Sequence, residues 1–339
     1  MSYIQISKQN LIHNISLISR RCGLDKFAAV LKDNAYGHGL IECAQICAEV
    51  GVKYAIVRDA DAADRIAHLF TFVLTLSDIS IPKSDNVHIT INSISDIDRL
   101  QEETNIHLKI DSGMHRNGID MDELDIALEK IHSKGLYLKG VLSHLRSADE
   151  LSSETFWQEK NFLNTKTKIL EFCRRHSLEK PIFHLHNSAG VFRKNSFEDF
   201  DMVRVGIAMY GYMELPSSFP KHELRPVMSL FANKISSRKL KTTQKVGYGG
   251  VGKIDFDKTV SVYDLGYSDG FFRLNEHKQY SLPSGSKIIG RVSMDNMIID
   301  SDDESICIFD DARTLAKLND TIIYDVLVKL SPKIRRIVL

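Results

Sequence analysis

Short apolar runs and helically spaced apolar residues take turns along the first two thirds of the chain. Eight of the runs have the composition of strands: residues 27–31, 53–57, 72–76, 87–91, 106–110, 138–143, 181–184 and 201–205. Several are rich in valine and isoleucine, and at least six read as fully buried. The stretches between them read as helices. In residues 40–50 the apolar positions 40, 41, 44, 47 and 48 form one stripe, and Gly51 closes it. Residues 121–134 behave alike and end at Gly135, and residues 153–176 read as helical throughout. Eight strands with helices between them predict an α/β fold, a parallel (β/α)8 TIM-type barrel. A doubly wound sheet has the same local pattern, so periodicity alone leaves it open.

The texture changes after Pro216 and Pro220. From Arg225 onward the chain reads as short strands at 227–235, 259–263, 287–289, 296–300 and 305–309, with few helical stripes before the C-terminus. This predicts a barrel domain over 10–225 and a mostly β C-terminal domain over 226–339, with residues 1–9 a candidate addition to the second. A chain of 339 residues is too long for one small core, which agrees with two domains. Lys+Arg and Asp+Glu number 44 each, so no net charge argues for nucleic acid or an anionic membrane. The N-terminus has no signal-peptide pattern, and no apolar run is long enough to span a bilayer. The cysteines, Cys22, Cys43, Cys47, Cys173 and Cys307, are odd in number and fit no metal motif. A reducing cytoplasm and no metal are the expectation.

The segment Val30-Leu31-Lys32-Asp33-Asn34-Ala35-Tyr36-Gly37-His38-Gly39 carries the most specific chemistry. Lys32 ends the first strand, and in a parallel barrel that end faces the active site. Burying the cation is costly and lowers the pKa of the amine, and an uncharged amine can attack an aldehyde. An isolated strand-end lysine would more often snorkel into water, but the whole ten-residue string argues against that here.

The string resembles the cofactor-lysine signature of alanine racemases. Further blocks follow in the family's order over nearly the whole chain. They are Asp111-Ser112-Gly113-Met114-His115-Arg116-Asn117-Gly118-Ile119, Ser143-His144-Leu145, His186-Asn187-Ser188-Ala189 and Arg204 through Gly211. In the second domain come Val246-Gly247-Tyr248-Gly249, Gly266 through Gly270, Gly290 through Asp295, and Tyr324. His115 stands where the family usually has a small residue, and Val205 where it usually has proline.

The resemblance implies pyridoxal 5′-phosphate and a two-base racemisation of alanine, with D-alanine supplied to cell-wall peptidoglycan. Lys32 would hold the cofactor as a Schiff base and act as one base. Tyr248 would be the other, its phenol assisted by His144 and Arg204. Arg204 would also bond the pyridine nitrogen, where a permanent cation disfavours protonation. The phosphate would be held by Ser188, the backbone N–H groups of Gly206 and Ile207, and the hydroxyls of Tyr36 and Tyr324. Arg116 would contact cofactor and substrate, and Met294 and Tyr267 the substrate. Lys109, a strand-end lysine, would be open to carbamylation, which turns its repulsion of Arg116 into attraction. The partners implied are an amino-acid substrate and a second copy of the chain, in a homodimer with shared active sites.

Three rival functions have the same cofactor or fold: an amino-acid decarboxylase, a non-catalytic pyridoxal-phosphate-binding regulator, and a racemase for serine or basic amino acids. The first would need an acidic residue near the pyridine nitrogen, and the second would resemble the barrel alone. One motif misleads. Gly247-Tyr248-Gly249-Gly250-Val251-Gly252 fits the dinucleotide pattern G-x-G-x-x-G, but strand-like residues follow it where a helix is required.

Overall fold

The computed structural model describes residues 1–274 and 278–339. The chain divides into two compact units, one of Leu11–Asp33 with Cys43–Arg225, the other of Met1–Asn10, Asn34–Glu42 and Pro226–Leu339.

The first unit is an eight-stranded parallel barrel. Its strands are Phe27–Val30, Tyr54–Val57, Phe72–Thr75, Val87–Ile91, Asn105–Lys109, Tyr137–Leu142, Ile182–His184 and Val203–Val205. Each pairs in parallel with the next in sequence up to Ile182–His184, and Val203–Val205 pairs with Phe27–Val30. A single bridge, His184 to Met202, closes the ring. All eight expected runs are strands, and the doubly wound alternative is excluded by that closure.

Alternation decides what faces where. In Asn105–Lys109, Ile106 and Leu108 pack into an outer core with Leu128, Ile131, Phe162 and Phe172 from the covering helices. His107 and Lys109 are left for the barrel side. The helix Glu154–Arg175 buries Gln158, Phe162, Thr165, Ile169 and Phe172, a helical stripe against that core. Phe162 is fully enclosed, so cutting it to alanine costs about 3–5 kcal/mol.

Just after the first strand the backbone does something rare. Lys32–Tyr36 is helical, but Asp33, Asn34, Ala35 and Tyr36 have φ of 53°, 57°, 54° and 52°, so the turn is left-handed. L-residues disfavour this by about 1–2 kcal/mol each. Local bonds offset part of the cost. The Asn34 carbonyl accepts from Gly39 N–H at 2.9 Å, and Asn34 Oδ1 accepts from Leu40 N–H at 2.8 Å.

The second unit is built on a mostly antiparallel sheet in the order Met297–Ile299, Lys258–Tyr263, Met228–Leu240, Tyr3–Ile6, Arg335–Val338, with Ser305–Phe309 also on Met228–Leu240. Two short helices, Ala312–Leu318 and Ile323–Val328, lie near the end of the chain. The stretch Asn34–Glu42, assigned from sequence to the barrel domain, groups with this unit. The Arg336 guanidinium donates to the Gly37 carbonyl, and a Cβ on Gly37 would come within 2.2 Å of the Leu327 carbonyl oxygen. The expected strand at 287–289 is absent and only isolated bridges occur. There the Asp300 carboxylate takes the Lys287 N–H, so a side chain stands in for part of a ladder.

Candidate active site

In the barrel unit the expected residues cluster at the C-terminal ends of strands. Lys32 is half-buried just beyond Phe27–Val30, and Lys109 ends Asn105–Lys109. His144 follows Tyr137–Leu142 by two residues, Ser188 follows Ile182–His184, and Arg204 lies within Val203–Val205 just before Gly206. A parallel barrel points these ends the same way.

Arg204 is buried and forms no ion pair with a carboxylate among the described residues. Neutral groups surround it instead. Its Nη1 donates to the His184 carbonyl at 2.9 Å and to His184 Nδ1 at 3.1 Å. Its Nη2 donates to the carbonyls of Ser143 and Leu185 and to His144 Nδ1 at 3.3 Å. The Nε–H donates to no acceptor among the described residues. Loss of water pulls the Arg204 pKa down to about 10, so the group stays a cation at neutral pH.

The barrel site gathers positive charge. His144 is pushed down to about 3, first by burial and then by Arg204, Arg116, Lys109 and Lys32. Lys109 falls to about 8 through burial, then through Arg116 and Arg204. Lys109 is half-buried and Arg116 itself is exposed. Its loop is fixed by Asp111, whose Oδ1 accepts from the N–H groups of Gly113, Met114 and His115 at 2.9, 2.9 and 3.1 Å. Arg146 adds a bond to the Gly113 carbonyl at 3.2 Å. His115, in place of a small residue, takes φ of 55° and sets Nδ1 3.6 Å from Asp111 Oδ2.

Ser188 opens the short helix Ser188–Arg193 but does not cap it. Asn187 does, accepting from Gly190 N–H at 2.9 Å. The Ser188 hydroxyl instead accepts from the N–H groups of Gly206 and Ala208 at 3.0 and 3.4 Å. Both its acceptor sites are taken, which leaves its proton to donate. A hydroxyl with its proton left to donate, a spare arginine Nε–H and four cations around His144 fit an anionic cofactor bearing a ring nitrogen, as pyridoxal 5′-phosphate does.

The second unit carries the remaining residues. The rings of Tyr36 and Tyr324 lie 5.8 Å apart. Tyr248 sits in a tight turn, Tyr248–Gly250, within a hairpin of Lys245–Val246 and Gly252–Lys253. No helix follows, so the glycine pattern there is not a dinucleotide loop. Tyr267 and Met294 lie on adjoining loops, with Tyr267 N–H donating to the Ser293 carbonyl at 3.1 Å and Ser268 N–H to that of Met294 at 2.9 Å. Tyr248 is 63% exposed and Met294 53%.

Among the described residues no helix is long and apolar enough to cross a membrane. The sequence analysis does not single out Asn187 as the cap, or His88, His107 and His184 on the barrel strands. The available signal was a single histidine set among the apolar residues of each strand.

A closed parallel barrel with a cationic site at its strand ends, followed by a mostly β unit, defines a two-domain barrel enzyme class. Residues 6–214 match the alanine racemase N-terminal domain family, and residues 227–338 match the alanine racemase C-terminal domain family. An alanine racemase from a Nitratiruptor species is 44% identical over 337 residues, and one from Campylobacter curvus 42% over 338, with 99% of each chain covered. The solved alanine racemase of Clostridium difficile 630 superposes with a TM-score of 0.85 at 25% identity, covering 100% of this chain and 95% of that one. That of E. faecalis gives 0.83 at 25%, covering 100% and 98%. The chain belongs to the alanine racemase family.

Proposed function

We propose that the chain is a pyridoxal-phosphate-dependent isomerase that interconverts L-alanine and D-alanine and so supplies D-alanine for peptidoglycan. When bound, pyridoxal phosphate withdraws electrons from the substrate Cα and acidifies its proton. Lys32 Nζ would hold the cofactor covalently, and its amine would serve as the base on one face of the substrate Cα. Tyr248 from a second copy serves the other face. His144 accepts from Arg204 at Nδ1, so its proton lies on Nε2 and can support the phenolate. The Ser188 hydroxyl, the Ile207 N–H and the hydroxyls of Tyr36 and Tyr324 would hold the phosphate; the Gly206 N–H, expected to join them, is instead taken by the Ser188 hydroxyl. Arg116, Met294 and Tyr267 orient the substrate.

The observation that carries this reading is Arg204, a buried cation held by neutral groups. A decarboxylase of this fold would set a carboxylate at that place. The match over residues 227–338 counts against a barrel-only regulator. Lys109, lowered to about 8, is an uncharged amine in roughly a tenth of molecules at pH 7, the form that adds CO2. Carbamylation there would make it an anion beside Arg116, and intact mass measured without acid checks it.

Incubating the purified protein with each L-amino acid, followed by chiral chromatography, tests the activity. D-alanine should form fastest, and no D-product from any substrate would end the proposal. Borohydride should fix the cofactor on the Lys32 peptide. A label on another lysine would remove Lys32 from its role.

A further inference from the structure

Three histidines continue inward from Arg204. His184 Nε2 lies 2.9 Å from His107 Nδ1, and His107 Nε2 lies 3.0 Å from His88 Nδ1. They ride on Ile182–His184, Asn105–Lys109 and Val87–Ile91. The strand Tyr137–Leu142 runs between the first two of these, so His107 must reach across it. Gly140 allows this. It is the register partner of His107, and a Cβ there would lie 2.4 Å from the ring's Nδ1. At the far end His88 stacks on Phe72 at 4.5 Å and 6°, which holds the last ring in plane.

The direction of every bond follows from the arginine. A guanidinium can only donate, so His184 accepts at Nδ1 and carries its proton on Nε2. That proton is donated to His107 Nδ1, which puts the proton of His107 on Nε2. His88 then accepts at Nδ1 and holds its proton on Nε2. A second proton on any of the three would set two donors face to face. The surroundings agree. Burial, then neighbouring charges including Arg204, hold His107 and His184 well below the usual range, and burial and Lys139 lower His88 to about 4.

We propose that His184, His107 and His88 are positioning residues for Arg204, forming a one-way chain that holds its guanidinium charged and in one orientation. Neutral imidazoles accept and polarise along the chain without cancelling the cation, as a carboxylate would. The role of Arg204 toward the cofactor's ring nitrogen rests on the function proposed above. The chain's bond direction does not.

The test begins with the unaltered full-length protein, carrying its cofactor and ring-15N histidine. Two-bond 1H–15N spectra, assigned with single His→Gln variants, report each tautomer. All three rings should be neutral with the proton on Nε2, unchanged between about pH 6 and 8.5. A proton on Nδ1 of His184 or His107, or a charged ring, would overturn the proposal. His107→Phe keeps a ring in the packing and breaks both bonds. It should blur the His184 tautomer and lower kcat by about tenfold to a hundredfold, as for other partners of a directly acting group, with KM nearly unchanged. His107→Gln, which can accept at Oε1 and donate from Nε2, should restore most of the loss. Equal loss in both variants, with His184 unchanged, would mean that His107 only fills space. Unaltered protein with these tautomers but no racemase activity would fail the functional reading and leave the chain standing.

Discussion

Nη2 of Arg204 donates to Nδ1 of His144 across 3.3 Å, and this contact decides which nitrogen of His144 carries its proton. The ring stays neutral, because burial and four cations push it down to about 3. It is therefore an Nε2–H donor throughout the working pH range. If that donor supports the Tyr248 phenolate, His144→Phe removes support from the charged form and raises the phenol's pKa. The acid limb of the kcat/KM profile should move to higher pH, and activity at pH 7 should fall by about 10²-fold. A profile that drops without shifting would detach His144 from Tyr248.

The exposed Tyr248 and Met294 suit a site completed between two copies. Lys32→Ala and Tyr248→Phe chains are each expected to be inactive alone. After subunit exchange the mixed dimer should regain one competent site, about a quarter of normal activity for random pairing. Mass spectrometry can confirm the exchange. No recovered activity in a proven heterodimer would place both bases in one chain.

Tyr248→Phe removes one base and keeps a ring, so cofactor binding should survive. By the family resemblance the tyrosine serves L-alanine and Lys32 serves D-alanine. Racemisation should fall in both directions, since equilibrium forbids a one-way racemase, by about 10²–10⁴-fold. Deuterium exchange separates the faces. The variant should still wash deuterium into D-alanine while exchanging L-alanine poorly. Equal loss from both enantiomers, with cofactor and dimer intact, would point to a single base.

Buried neutral histidines also set the acid limit of the fold. His107 and His184 lie well below 6.5, His38 and His88 fall to about 4, and His144 and His186 to about 3, each first through loss of water. Their folded pKa values lie below the unfolded one. Between those values the unfolded chain binds more protons, so stability is lost as pH falls below about 6.5. Each ring contributes about 1.4 kcal/mol per pH unit in that window. Several together rival a stability of about 5–15 kcal/mol. The melting temperature should be flat from pH 8 to 7, fall steeply below about 6.5, and be lost near about 5. A melting temperature unchanged down to pH 5 would mean that these rings take protons in the folded state.

The sequence by itself determined the eight barrel strands, the helices 40–50, 121–134 and 153–176 to within a few residues, and the side chains with the right chemistry. Those features are local: periodicity shows which residues turn inward, and short strings such as Lys32 to Gly39 keep their order. The left-handed turn at Asp33–Asn34–Ala35–Tyr36 was not legible, because Asp and Asn visit that region only as single residues and Ala and Tyr avoid it, and bonds such as those from Gly39 and Leu40 help hold it. Nor was the division of labour between Asn187 and Ser188, since either can cap a helix and the choice depends on Gly206, 18 residues beyond Ser188. The chain of rings from Arg204 to His88 depends still more on closure. His107 and His184 are 77 residues apart, and they meet only because the barrel wraps and Gly140 leaves the space between them open. A sequence pattern encodes which face a residue takes. Which ring it touches across the barrel is set when the sheet closes.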